Sequence, residues 1–390
     1  MNNFTFYNPT KLIVGKGAEK EVGTYASKLG KKALVVHYGN EIPSLLEVVD
    51  NVKDSLKKSG MEIVDFQGVK PNPLDVDVYR GIDICKKEEV DIVIAVGGGS
   101  VIDTAKSIAL GVCYDGDFWD FFAGKAEAEK RLPVGVILTL PATGSESSWA
   151  ALITKEEGHL KRSYCTDVLR PDFAIMNPEI TLTLPKYQTA CGIIDMITHI
   201  LEPYLSSKEG NNLSDCLSAG AMESIVHNAK IIMEDPTNYD ARANIMWSAT
   251  IANNGSLGFG FPADWSNHMM AHELSGMYNT AHGATLSVMT PAYMRHEYRK
   301  NIAKYASFAK DVFGVALDEA DEEKAAIAGI KALEEFLEYM GLPTSLQEIG
   351  AKYEDIDELV AKCDLGNEKL AGAEVFTKQS AKEVYLLAWK

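Results

Sequence analysis

The sequence predicts an α/β protein in which a domain built on a parallel sheet is followed by an all-helical domain. In the first half of the chain, short β-branched and apolar runs alternate with segments of helical length. In the second half such runs almost vanish and helical patterns take over. The predicted boundary lies in residues 177–185, which two prolines punctuate, so that residues 1–181 form the first domain and residues 182–390 the second.

The individual elements follow from apolar runs and their stop signals. Predicted strands are Ala33–His37, Glu62–Phe66, Asp91–Val96, Val134–Leu140 and Phe173–Met176, and predicted helices between them are Ser44–Ser59, Val76–Glu88 and Ser100–Leu110. Strands that are apolar along nearly their whole length indicate a parallel sheet covered on both faces. In the second half, Glu322–Met340 carries an apolar face and is followed by Gly341 and Pro343, which predicts a helix that ends there.

Composition limits the function classes. The chain has 390 residues, 46% of them hydrophobic, and a net charge of -17, which argues against a nucleic-acid or anionic-membrane surface. The six cysteines form no C-x-x-C pair and are expected to be reduced and mostly buried. We find neither a signal-peptide pattern nor an apolar run near the ~20 residues that span a bilayer, so we expect a cytoplasmic protein.

A glycine loop follows the third predicted strand. Gly97, Gly98, Gly99 and Ser100 lie between that strand and a predicted helix. Glycines let a phosphate approach the backbone, and the N-terminus of a helix attracts its charge. Ser100 and Asp103 are expected to cap the helix. A tight turn without a ligand would use the same residues, but the context favours binding, although the loop is neither G-x-G-x-x-G nor a P-loop.

A second loop, residues 139–146, follows the fourth predicted strand. Its hydroxyls and glycine suit a sugar or a phosphate, although a simple polar turn has the same composition. Because parallel strands place their carboxyl ends at one edge of a sheet, the two loops support each other as parts of one ligand site.

The histidines of the second half suggest a metal site. Asp195 and His199 are one helical turn apart, His268 and His272 repeat that spacing, and His282 follows. A single histidine is more often a hydrogen-bonded core residue, but one carboxylate with several imidazoles in one domain suits zinc or ferrous iron with an open position. The spacing leaves open which of His268, His272 and His282 are ligands.

The order of these motifs also resembles a known family. The carriers are FYNPT at 6–10, PNP at 71–73, residues 97–106, residues 141–146, Asp195-x-x-x-His199, and His268-x-x-x-His272 with His282. Together they are similar to the iron-containing (group III) alcohol dehydrogenases along essentially the whole chain. The segments NYDARAN at 238–244 and DWSNH at 264–268 resemble the butanol dehydrogenase and broad-range aldehyde reductase branch.

This resemblance implies a Rossmann-like dinucleotide-binding domain, a metal-binding catalytic domain and specific residue roles. It implies that the divalent metal is bound by Asp195, His199, His268 and His282. The metal would be Fe²⁺ or Zn²⁺, with Co²⁺ or Mn²⁺ substituting. It implies that the pyrophosphate lies on Gly97, Gly98, Gly99 and Ser100, with Asp103, Thr139, Thr143 and Lys161 around the rest of the dinucleotide.

Cofactor choice is expected to depend on the turn after the first predicted strand. Many members of the family carry an aspartate there that excludes a 2′-phosphate, whereas this chain has Tyr38, Gly39 and Asn40. Gly39 and Asn40 would neither repel NADP(H) nor select it by charge. We therefore expect NADP(H) to be used and NAD(H) also to be accepted.

The expected reaction is hydride transfer between NAD(P)H and a short-chain aldehyde such as butanal, with butanol oxidation as the reverse. His272 would relay the proton. Trp149, Phe259, Phe261 and Trp265 are candidates for an apolar pocket wall. A homodimer is implied by the resemblance alone.

Three other functions are also compatible with the sequence. A polyol dehydrogenase of the glycerol type is the nearest. A lyase like dehydroquinate synthase would need a cationic pocket for a phosphorylated substrate, and the segments around the histidines hold few Lys or Arg residues. A non-enzymatic dinucleotide or metal sensor would need no open metal position.

Overall fold

The chain forms two compact units. The computed structural model describes residues 2–206, 212–260, 263–316, 321–363, 365 and 376–389. The α/β unit comprises residues 7–184 and 236–254, and the helical unit comprises residues 1–6, 185–235 and 255–390. These units depart from the predicted division at 181/182 mainly in residues 236–254, a helical segment that belongs to the α/β unit.

The α/β unit contains eight strands, and every strand and helix predicted for this part of the sequence is confirmed to within two residues at each end. The strands are β1 (Lys11–Val14), β2 (Lys32–His37), β3 (Glu62–Gln67), β4 (Ile92–Gly97), β5 (Val134–Leu138), β6 (Ala150–Lys155), β7 (Leu160–Cys165) and β8 (Phe173–Met176). The first helices of the chain are α1 (Val22–Ala26), α2 (Leu46–Lys58), α3 (Asp75–Glu88), α4 (Gly99–Val112) and α5 (Trp119–Phe122).

Six of these strands form one parallel sheet in the order β1-β8-β5-β4-β2-β3. All residues of β4 and β5 are buried, as the continuous apolar runs predict. From β2 the chain runs outward to β3 and returns on the other side of β2 to form β4. This reversal of direction places the carboxyl ends of β2 and β4 at a topological switch point, where open α/β sheets bind ligands.

Three strands were not predicted. β1 is a four-residue edge strand with only two half-buried residues, and β6 and β7 form a separate antiparallel hairpin with a mixed polar and apolar sequence. Short, half-exposed strands lack the continuous apolar run on which the prediction relied.

The helical unit follows the predicted change of character, since no described residue beyond Met176 lies in a strand. Its helices are α6 (Lys186–Ser206), α7 (Asn212–Glu234), α9 (Ser266–Tyr278), α10 (His282–Glu297), α11 (Ile302–Phe313), α12 (Glu322–Tyr339), α13 (Ile356–Lys362) and α14 (Lys378–Ala388), whereas α8 (Tyr239–Asn253) belongs to the α/β unit. The predicted helix at 322–340 is confirmed as α12. Among the described residues, none of the helices is both long enough and apolar enough to cross a bilayer.

The cysteines are only partly as expected. All six are free thiols, but only three are buried: Cys85, Cys191 and Cys363. Cys113 is half-buried, and Cys165 and Cys216 are exposed. The prediction that most cysteines are buried is therefore wrong, because two of them lie on outward-facing positions of β7 and α7.

Helix α10 packs closely against α6 where Gly283 meets the backbone of Cys191. A Cβ atom on Gly283 would lie 2.2 Å from the carbonyl oxygen of Cys191. Two helix backbones approach this closely only where one of them lacks a side chain. Gly283 therefore fixes the distance between the start of α10 and the middle of α6.

We expect Gly283→Ala to lower the free energy of unfolding by about 1–3 kcal/mol, because the added methyl overpacks a backbone contact. The matched control is Gly220→Ala in α7, where a Cβ atom would meet no atom within 4 Å. That change should raise the free energy of unfolding by about 0.5–1 kcal/mol through helix propensity. Chemical denaturation followed by circular dichroism measures both, and a Gly283→Ala chain as stable as the original would contradict the packing argument.

Candidate metal centre and cofactor loops

Three donor groups converge inside the helical unit. Asp195 lies on α6, His268 on α9 and His282 at the first position of α10, and one donor atom from each lies within 4.8 Å of the other two. Asp195 Oδ1 is 3.7 Å from His268 Nε2 and 3.8 Å from His282 Nε2. Ligands bound at about 2.0–2.2 Å in a tetrahedron are roughly 3.3–3.6 Å apart, so the spacing is close to that of a single metal ion's ligands.

Two of these donor atoms are buried without a hydrogen bond. Asp195 Oδ1 and His268 Nε2 have no hydrogen-bond partner among the described residues, although both residues are almost fully buried. Leaving buried polar groups unsatisfied is costly, and native proteins rarely do so. A cation placed between the two atoms would satisfy both, so the residues present fit a divalent metal.

His199 lies beside this cluster. Its Nδ1 donates a hydrogen bond to the backbone oxygen of Asp195 at 2.9 Å, and its ring centroid is 4.5 Å from that of His268. The donated proton fixes the tautomer and leaves the lone pair on Nε2. Burial, partly offset by the Asp195 carboxylate, lowers the pKa of His199 to about 4, so the ring is neutral. His199 is not among the three residues whose donor atoms converge, and its role as a fourth ligand stays a prediction.

A buried carboxylate that sequence reasoning missed holds His268 in place. Glu202 Oε2 lies 2.6 Å from His268 Nδ1, and Glu202 Oε1 accepts a hydrogen bond from the backbone N–H of His268 at 3.0 Å. Burial lowers the pKa of His268, but the carboxylates of Glu202 and Asp195 outweigh it and raise the pKa to about 9. The available signal was the i, i+3 spacing from His199 to Glu202, which places both on one face of α6.

Two further aromatic side chains adjoin the cluster. The ring of His272 lies 4.8 Å from that of His282 and 6.0 Å from that of His268, and His272 is not one of the converging donors. Its proton-relay role stays a prediction. Trp265 lies with its ring centroid 5.5 Å from that of His268, which places it against the cluster.

The remaining pocket candidates are placed differently. Phe259 contacts Phe4, with ring centroids 5.2 Å apart. Trp149 belongs to the α/β unit, where it is exposed and the guanidinium of Arg170 lies 5.0 Å from its ring centroid. Phe261 lies outside the described residues.

In the α/β unit, the glycine loop forms the predicted junction of strand and helix, but its capping differs from the prediction. Gly97 ends β4, Gly98 is the N-cap, and α4 begins at Gly99. The prediction that Ser100 and Asp103 cap this helix is wrong: no side chain caps it, and Ser100 is already its second residue. The N-cap is Gly98, two residues before the serine predicted to cap the helix.

The glycines of this loop also permit close packing within the protein. A Cβ atom on Gly98 would lie 3.0 Å from Leu140 Cβ, and one on Gly99 would lie 2.7 Å from Thr143 Cγ2. Thr139 N donates to the Gly97 carbonyl at 3.0 Å. The two predicted loops are therefore in direct contact, and the glycines serve a tight turn whether or not a phosphate lies on it.

A buried charged network ties the second loop to α4. Lys106 is fully buried, and its Nζ donates to Ser145 Oγ at 2.9 Å, to Ser148 O at 3.1 Å and to Ala150 O at 2.9 Å. Asp103 accepts from Ser145 Oγ at 2.6 Å. Burial raises the pKa of Asp103 and lowers that of Lys106 to about 8. Asp103 thus contacts the protein beneath the loops, and its predicted contact with a dinucleotide stays a prediction.

The turn after β2 lies next to β4, as the sheet order requires. Gly39 has φ +67°, and its N–H donates to His37 Nδ1 at 3.0 Å, while His37 Nε2 donates to Asp65 at 2.8 Å. Asn40 is exposed. The only carboxylate joined to the turn by these contacts, Asp65, is already paired with His37 and with Lys53.

Lys161 is the last predicted cofactor residue. It lies on β7 in the hairpin, is buried, and donates from Nζ to Asn72 Oδ1 at 3.2 Å. Asp103 accepts from Leu152 N at 3.1 Å on the neighbouring β6, and the Lys161 charge acts to lower the pKa of Asp103. The structure therefore groups Lys161 with the buried network of α4.

Sequence comparison identifies the family. Residues 9–178 match the sequence family described as iron-containing alcohol dehydrogenase, and residues 189–387 match the one described as the C-terminal part of the Fe-containing alcohol dehydrogenase family. The chain belongs to the iron-containing alcohol dehydrogenase family.

Relatives in this family match over nearly their whole length. The probable NADH-dependent butanol dehydrogenase 2 of Bacillus subtilis is 37% identical over 361 residues, which cover 93% of this chain and 92% of the relative. The NADPH-dependent aldehyde reductase YqhD of Escherichia coli is 34% identical and covers 93% of each chain. The crystal structure of NADH-dependent butanol dehydrogenase A from Thermotoga maritima is 39% identical, with a TM-score of 0.94 over 100% of this chain and 99% of the other.

We expect Lys106→Met to lower the free energy of unfolding by about 3–5 kcal/mol. The substitution removes the cation that has the larger effect on the buried Asp103 carboxylate, leaving only Lys161, and removes three hydrogen bonds. The double variant Lys106→Met/Asp103→Asn should recover part of the loss, because the unpaired charge is gone. Chemical denaturation measures this, and a loss below about 1 kcal/mol in the single variant would contradict the network's stabilising role.

Proposed function

We propose that this chain is a metal-dependent alcohol dehydrogenase and aldehyde reductase that transfers hydride between NAD(P)H and short-chain aldehydes such as butanal. Butanol oxidation is the reverse reaction. The observation that carries the proposal is the convergence of Asp195, His268 and His282 with buried, unsatisfied donor atoms. The named activities of the relatives support it: butanol dehydrogenases and an aldehyde reductase, dependent on NADH or NADPH.

We propose that the helical unit holds the metal and the α/β unit holds the dinucleotide. When bound, Fe²⁺ or Zn²⁺ supplies Lewis-acid polarisation of a carbonyl oxygen, and a nicotinamide supplies the hydride. Asp195, His268 and His282 hold the cation, with His199 as the fourth ligand through Nε2. The first amides of α4, at Gly99 and Ser100, bind the pyrophosphate.

The remaining proposed cofactor residues surround that pyrophosphate site. Thr139 directly follows β5 and its N–H donates to the Gly97 carbonyl, while the Thr143 side chain lies against Gly99. Gly39 and Asn40 lie at the carboxyl end of β2, where the ribose of a dinucleotide binds in open α/β sheets. Asp103 and Lys161 support this arrangement through hydrogen bonds to Ser145 and Asn72.

Metal removal tests the proposal directly. The chain is stripped with a chelator under anaerobic conditions, loaded separately with Fe²⁺, Zn²⁺, Co²⁺ or Mn²⁺, and assayed for NADPH and NADH consumption with butanal. We expect no turnover without metal and restored turnover with at least one of these ions. Glycerol oxidation, followed as formation of NADPH or NADH from the oxidised cofactor with each metal, separates the polyol alternative. Absence of butanal reduction with every metal would overturn the proposal.

We propose that His272 carries the proton to and from the substrate oxygen. It is buried, lies one turn after His268 and adjoins His282, yet does not belong to the converging donors. We expect His272→Ala to lower kcat by about 10²-fold or more while the bound metal per chain is unchanged. His296→Ala, which removes a histidine paired with Glu297 and Glu383, is the control. Loss of metal from the His272→Ala chain would instead make His272 a ligand.

We propose that both NADPH and NADH are accepted, because Tyr38, Gly39 and Asn40 carry neither an acid nor a cation. We expect Asn40→Asp to lower kcat/KM for NADPH about tenfold relative to that for NADH, because a carboxylate repels a 2′-phosphate. Steady-state kinetics with the two cofactors measures the ratio. An unchanged ratio would show that this turn does not face the ribose.

We also propose that the enzyme is a cytoplasmic homodimer. β1 forms one edge of the parallel sheet, and none of the described strands pairs with its outer side. An edge strand of this kind is available for pairing with a second copy. Solution scattering gives the mass of the particle, and a monomer at micromolar concentration would contradict the proposal.

A further inference from the structure

We infer that Glu202 is a positioning residue of the metal centre: it holds His268 in the tautomer and orientation that ligation requires and supplies a second negative charge opposite the cation. This inference rests on the proposed function, because it concerns the ligand set proposed there. Neither the spacing of the histidines nor the named activities of the relatives point to Glu202.

Both carboxylate oxygens of Glu202 contact His268. Oε2 lies 2.6 Å from Nδ1 of the His268 ring, and Oε1 accepts from the backbone N–H of His268 at 3.0 Å. Since a carboxylate only accepts, the ring proton lies on Nδ1. The atom left to bind a cation is Nε2, which faces Asp195 Oδ1 at 3.7 Å. The cation replaces the second ring proton that the two buried carboxylates favour in its absence. Carboxylates that orient metal-binding histidines act through this contact.

Glu202 also contributes to the charge balance of the metal site. Asp195 and Glu202 are 2% and 3% exposed, so two carboxylates are buried seven residues apart on α6. Burying carboxylates is unfavourable unless an opposite charge compensates them. A divalent cation beside neutral imidazoles compensates both, and the site is then neutral.

A purely structural role for Glu202 would be capping of α9. His268 is the third residue of that helix, and Oε1 satisfies its otherwise open N–H. Two residues earlier, the N–H of Ser266 donates to Asp264 Oδ1 at 2.9 Å. Capping needs one oxygen and no ring contact, so the bond from Oε2 to Nδ1 is what distinguishes the two roles.

The test compares metal affinity among variants of the full chain. Co²⁺ is titrated into the metal-free protein in competition with a chelator, and the visible spectrum of bound Co²⁺ is recorded. Glu202→Gln keeps the shape but removes the charge and one acceptor. We expect Co²⁺ to bind about 10–100-fold more weakly with altered absorption bands, while the Kd for NADH stays the same.

The matched control is Glu297→Gln. Glu297 is another buried carboxylate of the helical unit, and its Oε1 lies 2.7 Å from Nδ1 of His296, which is not a proposed ligand. The same substitution there removes a similar carboxylate–imidazole bond. We expect its Co²⁺ affinity and spectrum to equal those of the unmodified chain.

Glu202→Asp provides a second test if the glutamine variant fails to fold. It retains the charge but is one methylene too short to keep both contacts, so we expect Co²⁺ to bind about 3–10-fold more weakly. A folded Glu202→Gln or Glu202→Asp chain with unchanged Co²⁺ affinity and spectrum would overturn the inference and leave Glu202 as a helix cap. Failure of the unmodified chain to bind any of the four metals would overturn the proposed function itself.

Discussion

The buried carboxylate of Asp195 places the strongest physical demand on the helical unit. Its Oδ1 faces the Nε2 atoms of His268 and His282 and has no hydrogen bond among the described residues. Such an arrangement is stable only with a positive charge nearby. Helices α6, α9 and α10 each contribute one of these residues, and Gly283 lets α10 approach α6 closely enough to bring His282 to the cluster. Packing and metal chemistry therefore constrain the same three helices.

In the α/β unit, the direction of the strands determines where the candidate cofactor loops lie. Six parallel strands place the loops after β2, β4 and β5 at one edge of the sheet, and their order makes these loops neighbours. The loops are fixed from beneath by Lys106 and Asp103 and from α8, where Asn253 donates to Thr143 O at 2.8 Å. A rigid cradle of backbone amides is suited to a phosphate because it needs little reorganisation on binding.

Much of this could be predicted from sequence because the signals are local. The five apolar strands, the glycine loop and the α12 helix each carry their pattern within twenty residues. The position of α8 could not be predicted, since the contact that ties it to the α/β unit, Thr250 with Glu146 at 2.5 Å, joins residues 104 apart. Likewise, Glu202 and His268 are 66 residues apart, and one glutamate three residues after a histidine is too common a pattern to indicate an orienting carboxylate.

The metal cluster, too, could be predicted from sequence only in part. The i, i+4 spacings indicated the candidate residues. Only the tertiary structure distinguishes His282, whose donor atom belongs to the cluster, from His272, which lies beside it. The error at Ser100 has a local cause: consecutive glycines allow the helix to begin earlier than any side-chain capping signal indicates.

The most direct test of the account is X-ray absorption spectroscopy on the anaerobically purified chain, combined with elemental analysis for bound metal. We expect about one divalent metal per chain, with imidazole scattering from histidine ligands and nitrogen or oxygen at about 2.0–2.2 Å. Asp195→Asn should lose most of that metal. A chain that binds no metal, or a metal without imidazole ligands, would contradict the claim that Asp195, His268 and His282 form the metal centre.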